Sequence, residues 1–213
     1  MSFLNYQYPD FDLVEIQPEL LLQLKKYRQL SPVRAGATIS QFTFANNFNA
    51  WQQFFNGAET HNHLAIRQLV NKPLVLSFYS HHWGQEGLEF VKEMNRINTE
   101  VRANGGNLVI ITDDRSAELQ KLAWENNLTL NFYFDAAHNL AEKFGIYHKN
   151  SPVWERFSGV DADVPLLATF VLNPYRQVLF SYSNWNTDAK LNTDKLLDEV
   201  YQSGLFLNTR RSA

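Results

Sequence analysis

The chain has 213 residues and not one of them is cysteine. The thiolate is the reacting species in peroxide reduction, in thiol–disulfide exchange and in disulfide isomerisation. Thiol peroxidase, thioredoxin-type and isomerase activities are therefore excluded by composition. Methionine is scarce as well, with only Met1 and Met94. Met94 falls on the apolar side of a predicted helix, which argues against a methionine redox cycle. An excess of positive charge is also missing. Lys+Arg number 19 against 22 Asp+Glu, for a formal net charge of -3. The two signs are interspersed and Arg210-Arg211 is too short for a basic tail, so nucleic acid is not an expected partner. No apolar run approaches the roughly 18 residues of a membrane span, so no membrane association is expected. The stretch Met1 to Glu19 carries Asp10, Asp12, Glu15 and Glu19 without a basic or an apolar region, so it does not read as a secretory signal. Absence of cysteine removes the usual redox clue to compartment, and cytoplasm is expected by elimination. There is no internal repeat, low-complexity segment or interdomain linker.

What is present is an α/β pattern long enough for one substantial core. Leu20, Leu21, Leu24, Tyr27 and Leu30 recur at helical spacing and predict a helix over 17–30, stopped by Ser31-Pro32. Alternation from Thr38 to Phe44 predicts a short strand. Trp51, Phe54 and Phe55 form an aromatic cluster before the turn Asn56-Gly57, and residues 63–70 read as a short helix. From Pro73 the pattern is clearer. Residues 73–79 form a strand apolar on both faces, as a central strand requires. Leu88, Val91, Met94, Ile97 and Val101 mark a long helix closed at Asn104-Gly105-Gly106. Further strands are expected at 108–111 and 131–134, and further helices at 116–127 and 137–145. An irregular insertion follows over 153–163. A hairpin of 168–172 with 178–182 turns at Asn173-Pro174-Tyr175-Arg176, in the sequence of a type I turn. The last helix is expected from Thr193 to Leu205, ending at or near Gly204. This order predicts a mixed sheet with helices on both faces. The expected divisions are an N-terminal helical extension over 1–35, one domain over 36–205 and a tail over 206–213.

The most informative stretch joins the first core strand to the long helix: Phe78-Tyr79-Ser80-His81-His82-Trp83-Gly84-Gln85-Glu86-Gly87. This layout resembles the active-site corner of the AhpC/TSA peroxiredoxin-like family of the thioredoxin superfamily, where the loop typically reads Phe-Tyr-x-x-x-Trp-Cys-x-x-Cys. Other segments also resemble that family, among them residues 105–112, Phe132-Tyr133-Phe134-Asp135 with Leu140-Ala141-Glu142-Lys143-Phe144-Gly145, and Ala168-Thr169-Phe170-Val171-Leu172. The resemblance spans roughly residues 36–197. It implies a thioredoxin-like, peroxiredoxin-type fold and makes a homodimer plausible. It also locates the departures. Gly84 and Gly87 stand where the two cysteines would be, and Leu167 stands where a proline usually precedes Ala-Thr-Phe. Pro165, two residues earlier, is not its equivalent. The nucleophile and one feature that shapes its site are both gone.

The remaining candidates for binding are Ser80, His81, His82, Trp83, Gly84 and Glu86. Imidazoles bind metals and titrate near neutrality, so His81 and His82, with Glu86, are candidate metal ligands or acid–base groups, and His61 and His63 lie in the preceding segment. As loop residues they equally read as a polar surface. Gly84 and Gly87 would let backbone N–H groups at a helix N-terminus approach a small anion, or would merely ease the turn. Ser80 could serve as a nucleophile beside a histidine, but no strained elbow motif surrounds it, and a capping role fits better. Asp113-Asp114 and Asp135 read as helix caps at the carboxyl edge of the sheet. Trp154, Phe157 and Trp185 are the aromatics most open to exposure as interface anchors. The sequence thus leans toward a non-enzymatic binding or assembly module without a cofactor, whose partner is an unknown protein or a small anionic ligand. The alternative is an enzyme of another class built on His81, His82 and Glu86, with or without a metal.

Overall fold

The computed structural model describes residues 29–211 apart from 47, 63, 64, 114–116, 187 and 188. The helix expected over 17–30 lies outside these residues except for Gln29 and Leu30, which are not helical. Seven strands form one mixed sheet: β1 (Trp51–Phe55), β2 (Ala58–Thr60), β3 (Leu74–Tyr79), β4 (Asn107–Thr112), β5 (Asn131–Phe134), β6 (Ala168–Leu172) and β7 (Val178–Ser183), in the spatial order β2-β1-β5-β4-β3-β6-β7. Between them run α1 (Ile66–Val70), α2 (Gly84–Ala103), α3 (Ala117–Glu125) and α4 (Asn139–Lys143), and α5 (Thr193–Arg211) follows the last strand.

Strand β3 lies near the middle of the sheet, parallel to β4 and antiparallel to β6, and all six of its residues are buried. That is why its sequence is apolar on both faces. On one face Ser77 Oγ lies 3.0 Å from Thr169 Oγ1, which in turn points at Met94 Sδ of α2. On the other, Phe78 packs against Phe170 and against Phe144, just past α4. Helix α2 presents Val91, Met94, Ile97 and Val101 with no exposed surface. Each such side chain contributes about 1.5–3 kcal/mol relative to exposure. The start of α2 is therefore held firmly against the carboxyl end of β3.

Three local expectations differ from the structure. Trp51–Phe55 is a strand rather than a loose cluster, and with β2 it forms a hairpin across Asn56 and Gly57, both at positive φ, as a two-residue primed turn demands. Residues 38–44 form no strand. Only Thr38 bridges Gln177, while Ile39 and Phe44 are buried through packing, Phe44 against Trp51 and Tyr133. Alternation there reflects burial without a ladder partner. Helix α5 runs beyond Leu205 to Arg211, so part of the expected tail is helical. Gly204 does not end it: a Cβ there would sit 2.5 Å from the Asn104 carbonyl oxygen, so glycine serves the close approach of α5 to the end of α2. The segment before β1 is tied to the body, with Val33 N–H donating to Phe144 O at 3.0 Å and Gly36 N–H to Val178 O at 2.8 Å.

Candidate functional site

At the end of β3 the chain makes a 3-10 turn, His81–Trp83, before α2 begins. Trp83 anchors this corner. Its indole is buried, donates from Nε1 to Pro165 O at 2.9 Å and meets Phe157 edge-on at 5.0 Å. The irregular insertion over 153–163, with Pro165 just beyond it, is thus a cover for the corner. Two more contacts pin it. His82 Nδ1 lies 2.7 Å from Asp161 Oδ1, and this hydrogen bond holds the Asp161 carboxyl below its usual range. The Arg156 guanidinium stacks 3.7 Å over the Trp185 ring and donates to Trp185 O.

Gly84 opens α2 at φ +53 and ψ -128, a conformation L side chains rarely adopt, and open space lies where its Cβ would be. Gly87 is the reverse case. A Cβ there would lie 2.9 Å from Trp83 Cβ, 3.1 Å from Ser80 O and 3.1 Å from Tyr79 Cε2. Neither position is a simple exchange of sulfur for hydrogen: one has a backbone that disfavours cysteine, the other has no room for it.

The candidate polar groups diverge. The His81 and His82 rings stack on each other with centroids 3.9 Å apart. His81 Nε2 faces Glu118 Oε2 of α3 at 3.9 Å, whereas His82 faces Asp161. Glu86 accepts from Asn184 Nδ2 at 3.3 Å on another side, and burial, then the Glu86 charge, raises the Tyr182 hydroxyl above its ordinary value. Three donors that turn to three different neighbours do not converge on one ion, and among the described residues no group of three or more His, Asp or Glu is placed to hold a metal. His61 lies among these residues and His63 does not. Ser80 is wholly buried, and its Oγ has no hydrogen-bond partner, so no base faces it. Leu167 is buried where the family's proline is expected, and its carbonyl accepts the Asn184 N–H at 2.9 Å. Asp135 caps α4 as expected, accepting from Leu140 and Ala141 N–H groups.

Beside the open face of Gly84 is a cavity of about 250 Å³. Leu88, Leu119, Leu122 and Tyr79 form its apolar walls, and His81, Gln85 and Glu118 its polar rim. Glu118, Asp161 and Asn184 are the site residues that sequence reasoning missed. Glu118 and Asp161 read as ordinary surface carboxylates, and no spacing rule connects them to residue 81 or 82.

The model of the AhpC/TSA family matches residues 44–181, more than half of the chain. The chain belongs to the AhpC/TSA family. Solved structures agree on the fold. Enterococcus faecalis AhpC superposes with a TM-score of 0.56 at 13% identity, covering 82% of this chain and 95% of that one. The mitochondrial 2-Cys peroxiredoxin of Plasmodium falciparum gives 0.55 at 16% identity, covering 82% and 96%. Peroxidoxin BcpB of Mycobacterium tuberculosis gives 0.51 at 18% identity, covering 81% and 97%. At such identities the likeness establishes a thioredoxin-like, peroxiredoxin-type fold and nothing about activity. No curated protein matches the chain in sequence. This AhpC/TSA chain is thus a peroxiredoxin-like protein without a cysteine, and no described helix is long and apolar enough to cross a membrane.

Proposed function

We propose that this protein is a non-catalytic binding or assembly module, with a small-ligand site at the start of α2. The paired glycines carry the reading. Gly84 leaves open space over the first turn of a 20-residue helix, and Gly87 is packed too tightly for a resolving thiol. The first-turn N–H groups attract a small anion or the anionic end of a small molecule, and the apolar walls of the adjoining cavity suit an uncharged remainder. Of the candidate residues, His81 and Gly84 line the cavity, while Ser80, His82, Trp83 and Glu86 surround it without lining it, Trp83 as a support rather than a ligand contact. A homodimer is the proposed assembly, on the family resemblance alone, and light scattering after size exclusion tests it.

The test of ligand binding is thermal unfolding of the purified protein against a panel of small anions, small carboxylic acids and divalent metals, with His81→Ala/His82→Ala alongside. A ligand at one hundred times its dissociation constant adds about 2.7 kcal/mol of stability. An anion-dependent rise in Tm supports the reading. A rise with divalent metal that the double variant loses would instead favour an enzyme built on His81, His82 and Glu86. No rise with any compound would move the function to protein contacts.

A further inference from the structure

Behind the cover segment is a second polar cluster, separate from the His81–His82 turn. His138 sits just before α4 in a left-handed backbone conformation (φ 54, ψ 24). Its N–H donates to Asp135 O at 2.9 Å and its carbonyl accepts the Glu142 N–H at 2.8 Å, which fixes where the ring lies. The ring Nε2 faces Asp113 Oδ2, at the end of β4, at 3.5 Å. One ring face stacks on Tyr147, with centroids 4.0 Å apart and planes 33° from parallel. The Tyr147 hydroxyl then donates to Asp163 Oδ2 at 3.3 Å. Asp113 and Asp163 each keep a second carboxylate oxygen that is buried without a partner. A positive ring that faces the Asp113 carboxylate and stacks on a phenol donating to Asp163 gains from the charge of both carboxylates and from the aromatic face. A neutral ring removes the positive charge that offsets the buried Asp113 carboxylate and, through Tyr147, Asp163.

The elements joined are the informative part. Asp113 directly follows β4 and His138 directly precedes α4, whereas Tyr147 and Asp163 lie on the chain that leads into and out of the cover. Asp163 is two residues from Pro165, which holds the Trp83 indole, and two from Asp161, which holds His82. We infer that His138 is a pH-operated latch: its protonated ring ties the 147–165 segment to the sheet over the Trp83 corner, and loss of that proton frees the segment. This holds whether or not the corner binds a ligand.

The sign follows from every group facing the ring. The hydrogen bond to Asp113 raises His138 above the ordinary imidazole value, burial opposes it, and the charges of Asp113, Asp135 and Asp163 support the rise. Asp135 and Asp163 are themselves raised, in both cases chiefly by burial. Tyr147 is pushed up to about 12 by burial and then by the Asp163 charge, with Glu142 a smaller contributor, so it stays a donor across the neutral range. The charge of His148 lowers Asp163 in turn. A raised histidine adds stability that is fully present below about 6.5 and lost as pH rises through its folded-state value. The latch is closed below the ordinary imidazole value and loosens as pH rises through the higher folded-state value of His138.

Hydrogen exchange of residues 153–167 tests this, followed from mildly acidic to mildly alkaline pH and corrected for intrinsic exchange chemistry. Amides in α5 report global opening. In the unaltered protein, opening of 153–167 should rise several-fold as the His138 ring, followed by NMR, loses its proton, while α5 stays constant. His138→Gln should abolish that pH response. Tyr147→Phe keeps the stacked ring but removes the bond to Asp163, so the imidazole should still titrate while the segment responds much less. His82→Ala should retain the response. A response that is absent, that survives in His138→Gln, that vanishes in His82→Ala or that α5 shares equally overturns the latch.

Discussion

Replacing Gly87 with alanine is the sharpest probe of the corner, because it adds one methyl group at a known place. The new Cβ would lie 2.9 Å from Trp83 Cβ, 3.1 Å from the Ser80 carbonyl oxygen and 3.1 Å from Tyr79 Cε2. None of these atoms is the free end of a flexible chain. Trp83 is held by its bond to Pro165, the Ser80 carbonyl accepts the Trp83 N–H at 3.3 Å, and Tyr79 is buried in the last position of β3. Overpacking of this kind costs about 1–3 kcal/mol. Against it stands the gain from replacing glycine in a helix, about 0.5–1 kcal/mol. The net loss should be about 1–2 kcal/mol, and for a chain of this size Tm should fall by about 2–8 °C. The assay is urea unfolding followed by far-UV circular dichroism. The midpoint should drop with an unchanged slope, which separates lost stability from a changed denatured state. Gln85→Ala, one turn position away and exposed, is the control and should stay within about 0.5 kcal/mol. If Gly87→Ala is as stable as the parent, the neighbours yield easily, and the claim that this position is closed to a thiol is wrong.

Other consequences are equally open to measurement. Gly84→Cys should not restore peroxide turnover above a heat-inactivated control and should cost about 1–3 kcal/mol, because φ +53 is strained for any side chain. Catalytic turnover by that variant would mean that only the sulfur was missing. Trp83→Phe keeps the apolar bulk but leaves the Pro165 carbonyl without its donor, and calorimetry should show a loss of about 1–3 kcal/mol. Ser80→Ala removes a buried hydroxyl that has no partner and should be neutral or stabilising by about 1 kcal/mol, so a marked loss would reveal a partner for it.

The parts of the fold legible in sequence were those where one rule acts alone. Strand β3 is apolar on both faces because it is central, and α2 shows its buried stripe at helical spacing because one face meets the sheet. The hairpin at Trp51–Phe55 was hidden because Gln52 and Gln53 are buried too, so the run neither alternates nor reads as wholly apolar. Gln53 is accommodated by donating to Asn62 O at 2.7 Å, a tertiary fact without a local signature. Gly204 looked like a helix end because a glycine cap and a glycine at a helix crossing look the same in sequence. At the corner, the glycines and Trp83 were legible through their spacing after β3. Their partners were not: Asp161 and Pro165 come from a segment nearly eighty residues away whose own sequence has no period, and Glu118 follows a different strand. The His138 cluster was invisible for the same reason, since it joins four separate stretches of chain.

The geometry of the corner bears on why it does not read as an enzyme that has merely lost its nucleophile. A lone Cys→Gly change would leave a backbone that still fits cysteine and a gap where the sulfur had been. Here residue 84 has a backbone that only glycine adopts easily, and at residue 87 the missing side chain is replaced by contact with Trp83 and Tyr79. Restoring both thiols would therefore meet strain at one position and collision at the other. Catalysis also needs a polar group pre-aimed at the reacting atom. At this corner His81 turns to Glu118, His82 to Asp161 and Glu86 to Asn184, so each is engaged with its own neighbour. These contacts tie the turn to α3, to the cover and to the end of β7. They surround the open face of Gly84 with groups that already have partners, which supports the proposed binding role, because preordered groups lose less freedom when a ligand or partner arrives.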